Sequence, residues 1–134
     1  MKKDICIFTT TRADYSLLKN IAIDLQQNKK FKITLVVTGT HLSKKFGFTL
    51  NEIKKDKILN IKKIKIESIN KNNNYNVIFN ETSSKVTLFL KKRHLDLVIL
   101  LGDRFETLAI AISCFLKKIP ICHLHGGETT LGSI

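Results

Sequence analysis

Strand-like and helix-like segments alternate along the whole of this 134-residue chain. The predicted strands are Asp4–Thr9, Lys32–Thr38, Ile61–Ile66, Leu95–Leu101 and Ile119–Leu124. Apolar residues at helical spacing predict helices or short helical stretches at Tyr15–Gln27, Leu42–Phe46, Leu50–Lys57, Val77–Lys92 and Phe105–Lys117. Strands that alternate with helices form a parallel sheet with right-handed crossovers. We therefore predict one α/β domain, residues 1–134, built on a doubly wound parallel sheet.

Three local features refine this prediction. Asp14 stands just before the first long helical repeat and is predicted to be its N-cap. Leu95–Leu101 is apolar along nearly its whole length, which is typical of a central strand buried on both faces. Asn70–Tyr75 is polar and rich in asparagine, and we expect it to be the most mobile loop.

The formal net charge of +12 raises the question of nucleic-acid binding. Almost all of the positive charge is lysine, scattered along the chain, and the only arginines are Arg12, Arg93 and Arg104. Arginine is the residue suited to bidentate contacts with bases and phosphates, and no aromatic residues are interleaved to stack on bases. We therefore predict a solvated lysine surface and no nucleic-acid partner.

Other features limit the compartment and the cofactors. The apolar runs are too short to span a bilayer, and Met1–Asp4 leads into a strand and not into a signal peptide. We therefore expect a cytoplasmic location and no membrane partner. Cys6, Cys114 and Cys122 lie in apolar runs, which favours reduced core residues over a disulfide framework. No spacing is typical of a zinc site, so no metal is predicted.

The polar residues suited to chemistry fall at the carboxyl ends of the predicted strands. In a doubly wound sheet, ligands bind outside these ends, where the strand order reverses. This edge holds three of the four histidines and two of the three arginines, whereas the opposite edge is mostly lysine and asparagine. The carboxyl-end segments are Thr9–Asp14, Thr38–His41, Gly102–Arg104 and His123–Glu128. This edge is the predicted binding site.

The turns after the first two strands each allow two interpretations. Thr10–Arg12 is either a polar turn with a surface arginine or an anion site, in which backbone N–H groups and Arg12 hold a phosphate. Thr38 and Gly39 end the second strand and are also candidates for ligand contact. His41 is either a capping or surface histidine or a ligand contact.

The turns after the last two strands carry the sharper candidates. Asp103 follows a buried strand, and we predict two compatible roles for it: it caps the next helix and acts as a general acid or base. His123 and His125 point to the same face if both lie in the strand. Without a third ligand at suitable spacing, proton transfer or substrate contact is favoured over metal binding.

At these same segments the chain resembles the hydrolysing branch of the UDP-N-acetylglucosamine 2-epimerases. The matching stretches are Thr11–Tyr15, Val37–His41, Leu101–Glu106 and His123–Leu131. Their order and intervals match as well, so the resemblance covers essentially the whole chain. It implies that the chain is the amino-terminal half of a GT-B-type fold, in which two Rossmann-like domains face each other across a cleft.

The resemblance also implies a reaction and its residues. UDP leaves UDP-N-acetylglucosamine by anti elimination to give 2-acetamidoglucal, and addition of water then yields N-acetylmannosamine. No cofactor is implied. Many relatives have glutamate at the position of His125, whereas this chain has histidine followed by Glu128. The implied catalytic residues are Asp103, His125 and Glu128. The implied substrate-binding residues are Arg12, Thr38, Gly39, His41, Arg104, Gly126 and Gly127.

Several alternatives stay open at this stage. A related 2-epimerase substrate would be a diacetamido or a GDP-linked sugar, on the way to legionaminic acid. A GT-B glycosyltransferase half would bind a similar nucleotide sugar, and a non-catalytic nucleotide-binding or dimerisation module is a third class. The amphipathic helix Val77–Lys92 and the apolar helix Phe105–Lys117 lead us to expect a homodimer or higher homo-oligomer. The resemblance places a nucleotide-binding carboxy-terminal domain beyond Ile134, so we expect the fragment alone to be inactive.

Overall fold

The computed structural model describes residues 1–71 and 74–127, which form a parallel five-stranded sheet with helices on both faces. The strand order is β3-β2-β1-β4-β5. The predicted doubly wound, Rossmann-like fold is therefore confirmed. The strands are β1 (Lys3–Thr9), β2 (Phe31–Val37), β3 (Ile61–Lys63), β4 (Leu97–Leu101) and β5 (Ile121–Leu124). The α-helices are α1 (Arg12–Gln27), α2 (Leu50–Lys54), α3 (Ser68–Lys71), α4 (Tyr75–Lys91) and α5 (Phe105–Leu116), and two 3₁₀ segments span Gly39–Leu42 and Lys44–Phe46.

The central strand β1 divides the core into two layers. Successive side chains of a strand point to opposite faces of the sheet. Ile7 accordingly packs in a cluster with Leu18 of α1, whereas Phe8 packs in the other cluster with Val86 of α4 and Ile110 of α5. All five of these side chains are almost completely buried. The apolar run of β1 is continuous because both faces of the strand are covered by helices.

The first helix begins three residues earlier than predicted. Thr11, and not Asp14, is the N-cap, because its hydroxyl accepts a hydrogen bond from the backbone N–H of Asp14. The Asp14 carboxylate in turn accepts the backbone N–H of Thr11 at 3.1 Å, which completes a capping box. The prediction that Asp14 is the N-cap is wrong, because Asp14 is the third residue of the helix and has the reciprocal role in the capping box.

The middle of the chain departs from prediction in two further places. Strand β3 ends at Lys63, so Ile64 and Ile66 are buried outside regular structure. In the expected loop 70–75, residues 70–71 close α3, and the side chain of Asn74 accepts a hydrogen bond from the backbone N–H of Asn76 to start α4. Residues 72–73 lie outside the described residues, and the mobility expected of this loop stays a prediction.

One side of the domain is apolar and uncovered. The outward face of α5 exposes Leu108, Phe115 and Leu116, and the neighbouring edge strand β5 exposes Ile121. Among the described residues, no helix is both long enough and apolar enough to pass through a bilayer. A sheet edge and a helix face of this kind are surfaces that a further structural unit can cover.

The turns that follow β1 and β2 are bound tightly to each other. The backbone N–H groups of Thr38 and Thr40 donate to the carbonyl oxygens of Thr9 and Thr10, at 3.0 and 2.9 Å. Between them, Gly39 has φ +62°, and a Cβ added there would lie 2.5 Å from the carbonyl oxygen of Thr10. Only glycine combines this conformation with so close an approach of two backbones.

We expect Gly39→Ala to lower the free energy of unfolding by about 3 kcal/mol, through the left-handed conformation and the backbone clash together. Gly47→Ala is the matched control, since Gly47 also has positive φ but no atom lies within 4 Å of its added Cβ. Its expected loss is about 1 kcal/mol. Urea unfolding of both variants measures the difference, and equal losses would contradict the tight contact between the turns.

Candidate functional site

Four polar turns meet at one edge of the sheet. Arg12 opens α1 just after β1, Thr38 follows β2, Asp103 follows β4 and His125 follows β5. Because the strands are parallel, their carboxyl ends share one edge, and the strand order reverses between β1 and β4. The structure therefore confirms the prediction that these four segments lie at one edge of the sheet. Glu128 lies outside the described residues.

A cavity of about 350 Å³ opens at this point of reversal. Aromatic side chains of Phe46, Tyr75 and Phe105 form apolar walls, and the hydroxyl-bearing residues Thr11 and Thr40 form a polar one. This combination of apolar surface with a few polar groups is typical of small-molecule sites. The other lining residues are Lys45, Ile69, Ile78, Arg104 and Glu106.

Arg104 lines this cavity, and its positive charge is paired with the carboxylate of Glu106. Its Nε and Nη2 donate to the two carboxylate oxygens of Glu106, at 3.0 and 2.8 Å. The hydrogen bonds to Glu106 raise the pKa of the Arg104 guanidinium. Glu106 is only 1% exposed, so removal of Arg104 would leave a buried carboxylate without its partner. Arg104 is therefore a structural part of the cavity wall, held in place by Glu106.

Asp103 borders a second cavity of about 350 Å³, between α5 and the edge strand β5. His123 and Arg104 also line this cavity. Arg104 is the residue that it shares with the first cavity, which we call the aromatic cavity after Phe46, Tyr75 and Phe105. The prediction that Asp103 caps α5 is wrong, because Arg104 occupies the N-cap position and no side chain caps the helix. Asp103 is thus an exposed residue beside the cavity, and its carboxylate does not cap α5.

The turn after β5 is held against the turn after β4 by His123. Its Nε2 lies 2.6 Å from the carbonyl oxygen of Gly102, which can only accept a hydrogen bond. A Cβ at Gly126 would lie 2.3 Å from Nδ1 of the same ring. The expectation that His123 and His125 share one strand face is wrong, since β5 ends at Leu124 and His125 has φ +54°.

Sequence reasoning missed this structural use of His123 and Gly126. The motif His-x-His-Gly-Gly is typical of a ligand-contacting turn, so ligand contact was predicted. The packing of His123 against Gly126, two residues beyond the strand, depends on the three-dimensional fold and has no local sequence signal. Gly127 also has positive φ, at +77°, so the whole turn leaves the strand direction. Substrate contact by Gly126 and Gly127 stays a prediction.

Three of the expected substrate-binding residues are buried away from both cavities. The Thr38 hydroxyl donates to the carbonyl oxygen of Ile64 at 2.7 Å, and Gly39 packs on Thr10. His41 is 0% exposed. Thr38, Gly39 and His41 therefore hold the turns together in this structure, and direct contact with a substrate stays a prediction.

Part of the anion site expected at the start of α1 is occupied by a side chain of the protein. The Asp14 carboxylate accepts the backbone N–H groups of Thr10 and Thr11, at 3.0 and 3.1 Å. These two N–H groups belong to the turn that was expected to hold a phosphate, and in this structure they are occupied by Asp14. Phosphate binding at this turn stays a prediction. Arg12 is exposed and lies 3.3 Å from the Glu52 carboxylate. Its expected position near a diphosphate stays a prediction.

A larger cleft, of about 600 Å³, lies at the opposite edge of the sheet. It is bordered by Lys2, Lys91, Lys117 and Lys118, near the amino ends of the strands. Ligands of doubly wound sheets bind at the carboxyl ends, so this lysine-lined cleft is not the favoured site. Within residues 1–71 and 74–127, no three His, Cys, Asp or Glu side chains are grouped as metal ligands.

Comparison with known proteins identifies the family. The profile of the family described as UDP-N-acetylglucosamine 2-epimerase matches residues 23–134. The chain belongs to this family. The resemblance of the chain to this family is thereby confirmed.

Curated relatives of this family are similar over nearly the whole chain. The chain is 38% identical to the "GDP/UDP-N,N'-diacetylbacillosamine 2-epimerase (hydrolyzing)" of Campylobacter jejuni, over 99% of this chain and 35% of that protein. It is 37% identical to the "UDP-N,N'-diacetylbacillosamine 2-epimerase (hydrolyzing)" of Legionella pneumophila, over 96% of this chain and 34% of that protein. The chain therefore spans about one third of the length of these relatives.

A solved family structure shares the fold. The crystal structure of the UDP-GlcNAc 2-epimerase of Neisseria meningitidis bound to UDP-GlcNAc superposes on this chain with a TM-score of 0.77. The match covers 97% of this chain and 34% of that one, at 21% sequence identity. At this identity the likeness supports the fold of the family domain.

The buried side chain of His41 gives this domain a pH dependence. Burial lowers the pKa of His41, against the smaller opposing effects of the Asp14 and Glu52 carboxylates. In the unfolded chain the imidazole titrates near its ordinary value of about 6.5. As pH falls through that value, the unfolded chain takes up a proton that folded His41 does not, and stability is lost.

We expect the free energy of unfolding to fall below about pH 6.5 with a component of up to about 1.4 kcal/mol per pH unit from His41. Replacement by glutamine, His41→Gln, should remove this component from the slope. His94→Gln is the control, since His94 is exposed at the opposite edge of the sheet. Urea unfolding between pH 5 and 7.5 measures the slopes, and an unchanged slope in His41→Gln would refute the assignment.

Proposed function

We propose that this chain is the amino-terminal domain of a hydrolysing nucleotide-sugar 2-epimerase. The observation that carries the proposal is the joint position of Arg12, Asp103 and His125 at the carboxyl edge of the sheet, in a chain of this family. The aromatic cavity at the same edge of the sheet has the size and polarity of a sugar subsite. UDP-N-acetylglucosamine is the proposed substrate.

The proposed reaction has two steps. In the first, the proton on C2 of the sugar is removed and the bond from C1 to the diphosphate oxygen breaks, so that UDP and 2-acetamidoglucal form. In the second, water adds across the C1–C2 double bond to give N-acetylmannosamine. Asp103 and His125, with Glu128 beyond the described residues, are the proposed acid and base groups. Arg12 is the proposed partner of the diphosphate.

A second candidate substrate is a UDP- or GDP-linked diacetamido sugar. The names of the Campylobacter and Legionella relatives favour it, since both are 2-epimerases of diacetylbacillosamine nucleotides. The walls formed by Phe46, Tyr75 and Phe105 favour apolar substituents such as acetamido methyl groups. Either substrate would serve the synthesis of a sialic- or legionaminic-type sugar.

The remaining part of such an enzyme is proposed to hold the nucleotide. The chain spans one third of its relatives, and the exposed apolar surface of α5 and β5 is of the kind that a further unit covers. An elimination requires groups on both sides of the bond that breaks, and this domain supplies one side. A homodimer or higher homo-oligomer stays a prediction for the longer polypeptide.

The decisive experiment gives the longer polypeptide three substrates: UDP-N-acetylglucosamine, GDP-N-acetylglucosamine and UDP-diacetylbacillosamine. We expect release of a free 2-epimerised sugar and a nucleoside diphosphate, identified by mass spectrometry and proton NMR. Asp103→Asn should reduce this release at least about a hundredfold, because a neutral amide cannot transfer the proton. Transfer of the sugar to an acceptor alcohol would instead establish a glycosyltransferase.

The 134-residue chain alone should release no free sugar above its Asp103→Asn variant. The physical reason is that a single wall of the cleft leaves the sugar diphosphate solvated and misoriented. The same product analysis measures this, with the longer polypeptide as positive control. Sugar release by the short chain would overturn the two-domain requirement.

A further inference from the structure

Asp14 is the centre of a buried polar network at the carboxyl edge. Its Oδ2 accepts the Thr10 hydroxyl at 2.7 Å in addition to the two backbone N–H groups already described, and its Oδ1 accepts the Thr9 hydroxyl. Asp14 is 7% exposed, and Thr9 is 0% exposed. The turn after β1 is thus wrapped around a carboxylate of its own helix.

His41 extends this network to the next turns. Its Nε2 lies 2.8 Å from the Thr9 hydroxyl oxygen, and its Nδ1 lies 2.6 Å from the hydroxyl of Thr49, just before α2. The ring also packs edge-on against Tyr15, with 6.0 Å between centroids. Both ring nitrogens therefore have protein partners inside the domain.

The hydrogen bonds determine the tautomer of His41. The Thr9 hydroxyl has one proton, and the Asp14 carboxylate beside it can only accept, so that proton points to Asp14. The Thr9 oxygen must then accept from Nε2–H of His41. In a neutral imidazole Nδ1 is the acceptor, so the Thr49 hydroxyl donates to it. All protons of the chain from Thr49 through His41 and Thr9 to Asp14 point in one direction.

We infer that His41 is a positioning residue, whose neutral Nε2–H form bridges Thr49 and Thr9 and so fixes the turns that carry the walls of the aromatic cavity. The inference rests on the proposed function for its effect on catalysis, whereas the bridge itself rests on geometry alone. In this structure the ring is fully buried and both of its nitrogens have protein partners, which favours a positioning role over proton donation to a substrate.

The connection to the cavity runs through the backbone. The N–H and hydroxyl groups of Thr40 both donate to the carbonyl oxygen of Thr10, at 2.9 and 3.2 Å. Thr40 and Thr11 are lining residues of the cavity, and each adjoins a residue of the network. Loss of the bridge would let the two turns shift relative to each other, and the two polar wall residues would shift with them.

The tautomer is measured by proton–nitrogen NMR of the histidine side chains in the 134-residue chain. For His41 we expect a protonated Nε2 and an unprotonated Nδ1 at neutral pH. An Nδ1–H tautomer, or a ring that exchanges rapidly between both forms, would overturn the inference whatever the enzyme activity. This readout requires neither a substrate nor the remaining part of the protein.

Substitutions at Thr9 test the positioning role in the longer polypeptide. Thr9→Val keeps the shape but removes the hydroxyl, and it should lower kcat/KM about tenfold through misplacement of the turn. Thr9→Ser restores the hydroxyl and should stay within about twofold of the wild type. Thr34→Val is the matched control, because Thr34 is a buried strand threonine whose hydroxyl binds Asn60, outside the network.

The outcomes separate the inference from the proposed function. If the wild-type polypeptide has no 2-epimerase activity, the proposed function fails, and the NMR result alone decides the bridge. If Thr9→Val is as active as Thr34→Val, or if Thr9→Ser does not rescue activity, the positioning role is refuted. Should Thr9→Val fail to fold, the serine variant and the wild-type tautomer still decide between the two results.

Discussion

The parallel pairing of β1 with β2 on one side and β4 on the other is the constraint on which the site depends. Together with the parallel pairing of β5 with β4, it places the ends of β1, β2, β4 and β5 at one edge and reverses the strand order between β1 and β4. The helices on the two faces then leave a crevice above this reversal. Residues as distant in sequence as Thr11 and Arg104 line one cavity for this reason alone.

Much of this arrangement could be predicted, because it follows from patterns that are local and repeated. Alternating apolar segments determine the order of strands and helices, and the polar residues at strand ends follow from it. The segments containing Arg12, Asp103 and His125 were therefore assigned to one edge correctly. Their catalytic and binding roles remain predictions, because no substrate contact is defined by the fold.

The errors share one physical cause: the same polar residue types serve both ligands and the protein's own backbone. Asp14 was predicted to cap α1 from outside, but it lies inside the helix and accepts two N–H groups of the turn where a phosphate was expected. Asp103 was predicted to cap α5 and does not. His41 was predicted to be either a capping or surface residue or a ligand contact. In the structure it is buried between the hydroxyl groups of Thr9 and Thr49, an arrangement that depends on tertiary packing. Sequence spacing cannot distinguish these uses of a side chain.

The charges at the carboxyl edge indicate which group an incoming phosphate can recruit. The N–H groups of Thr10 and Thr11 are bound by Asp14, and Arg104 is bound to a carboxylate that is 1% exposed. Separation of Arg104 from Glu106 would leave a buried charge unpaired, which costs several kcal/mol. The pair between Arg12 and Glu52 is different, because both side chains are more than half exposed and such pairs contribute about 0–1 kcal/mol. Arg12 can therefore exchange its carboxylate for a phosphate at little cost, whereas Arg104 keeps its place in the cavity wall.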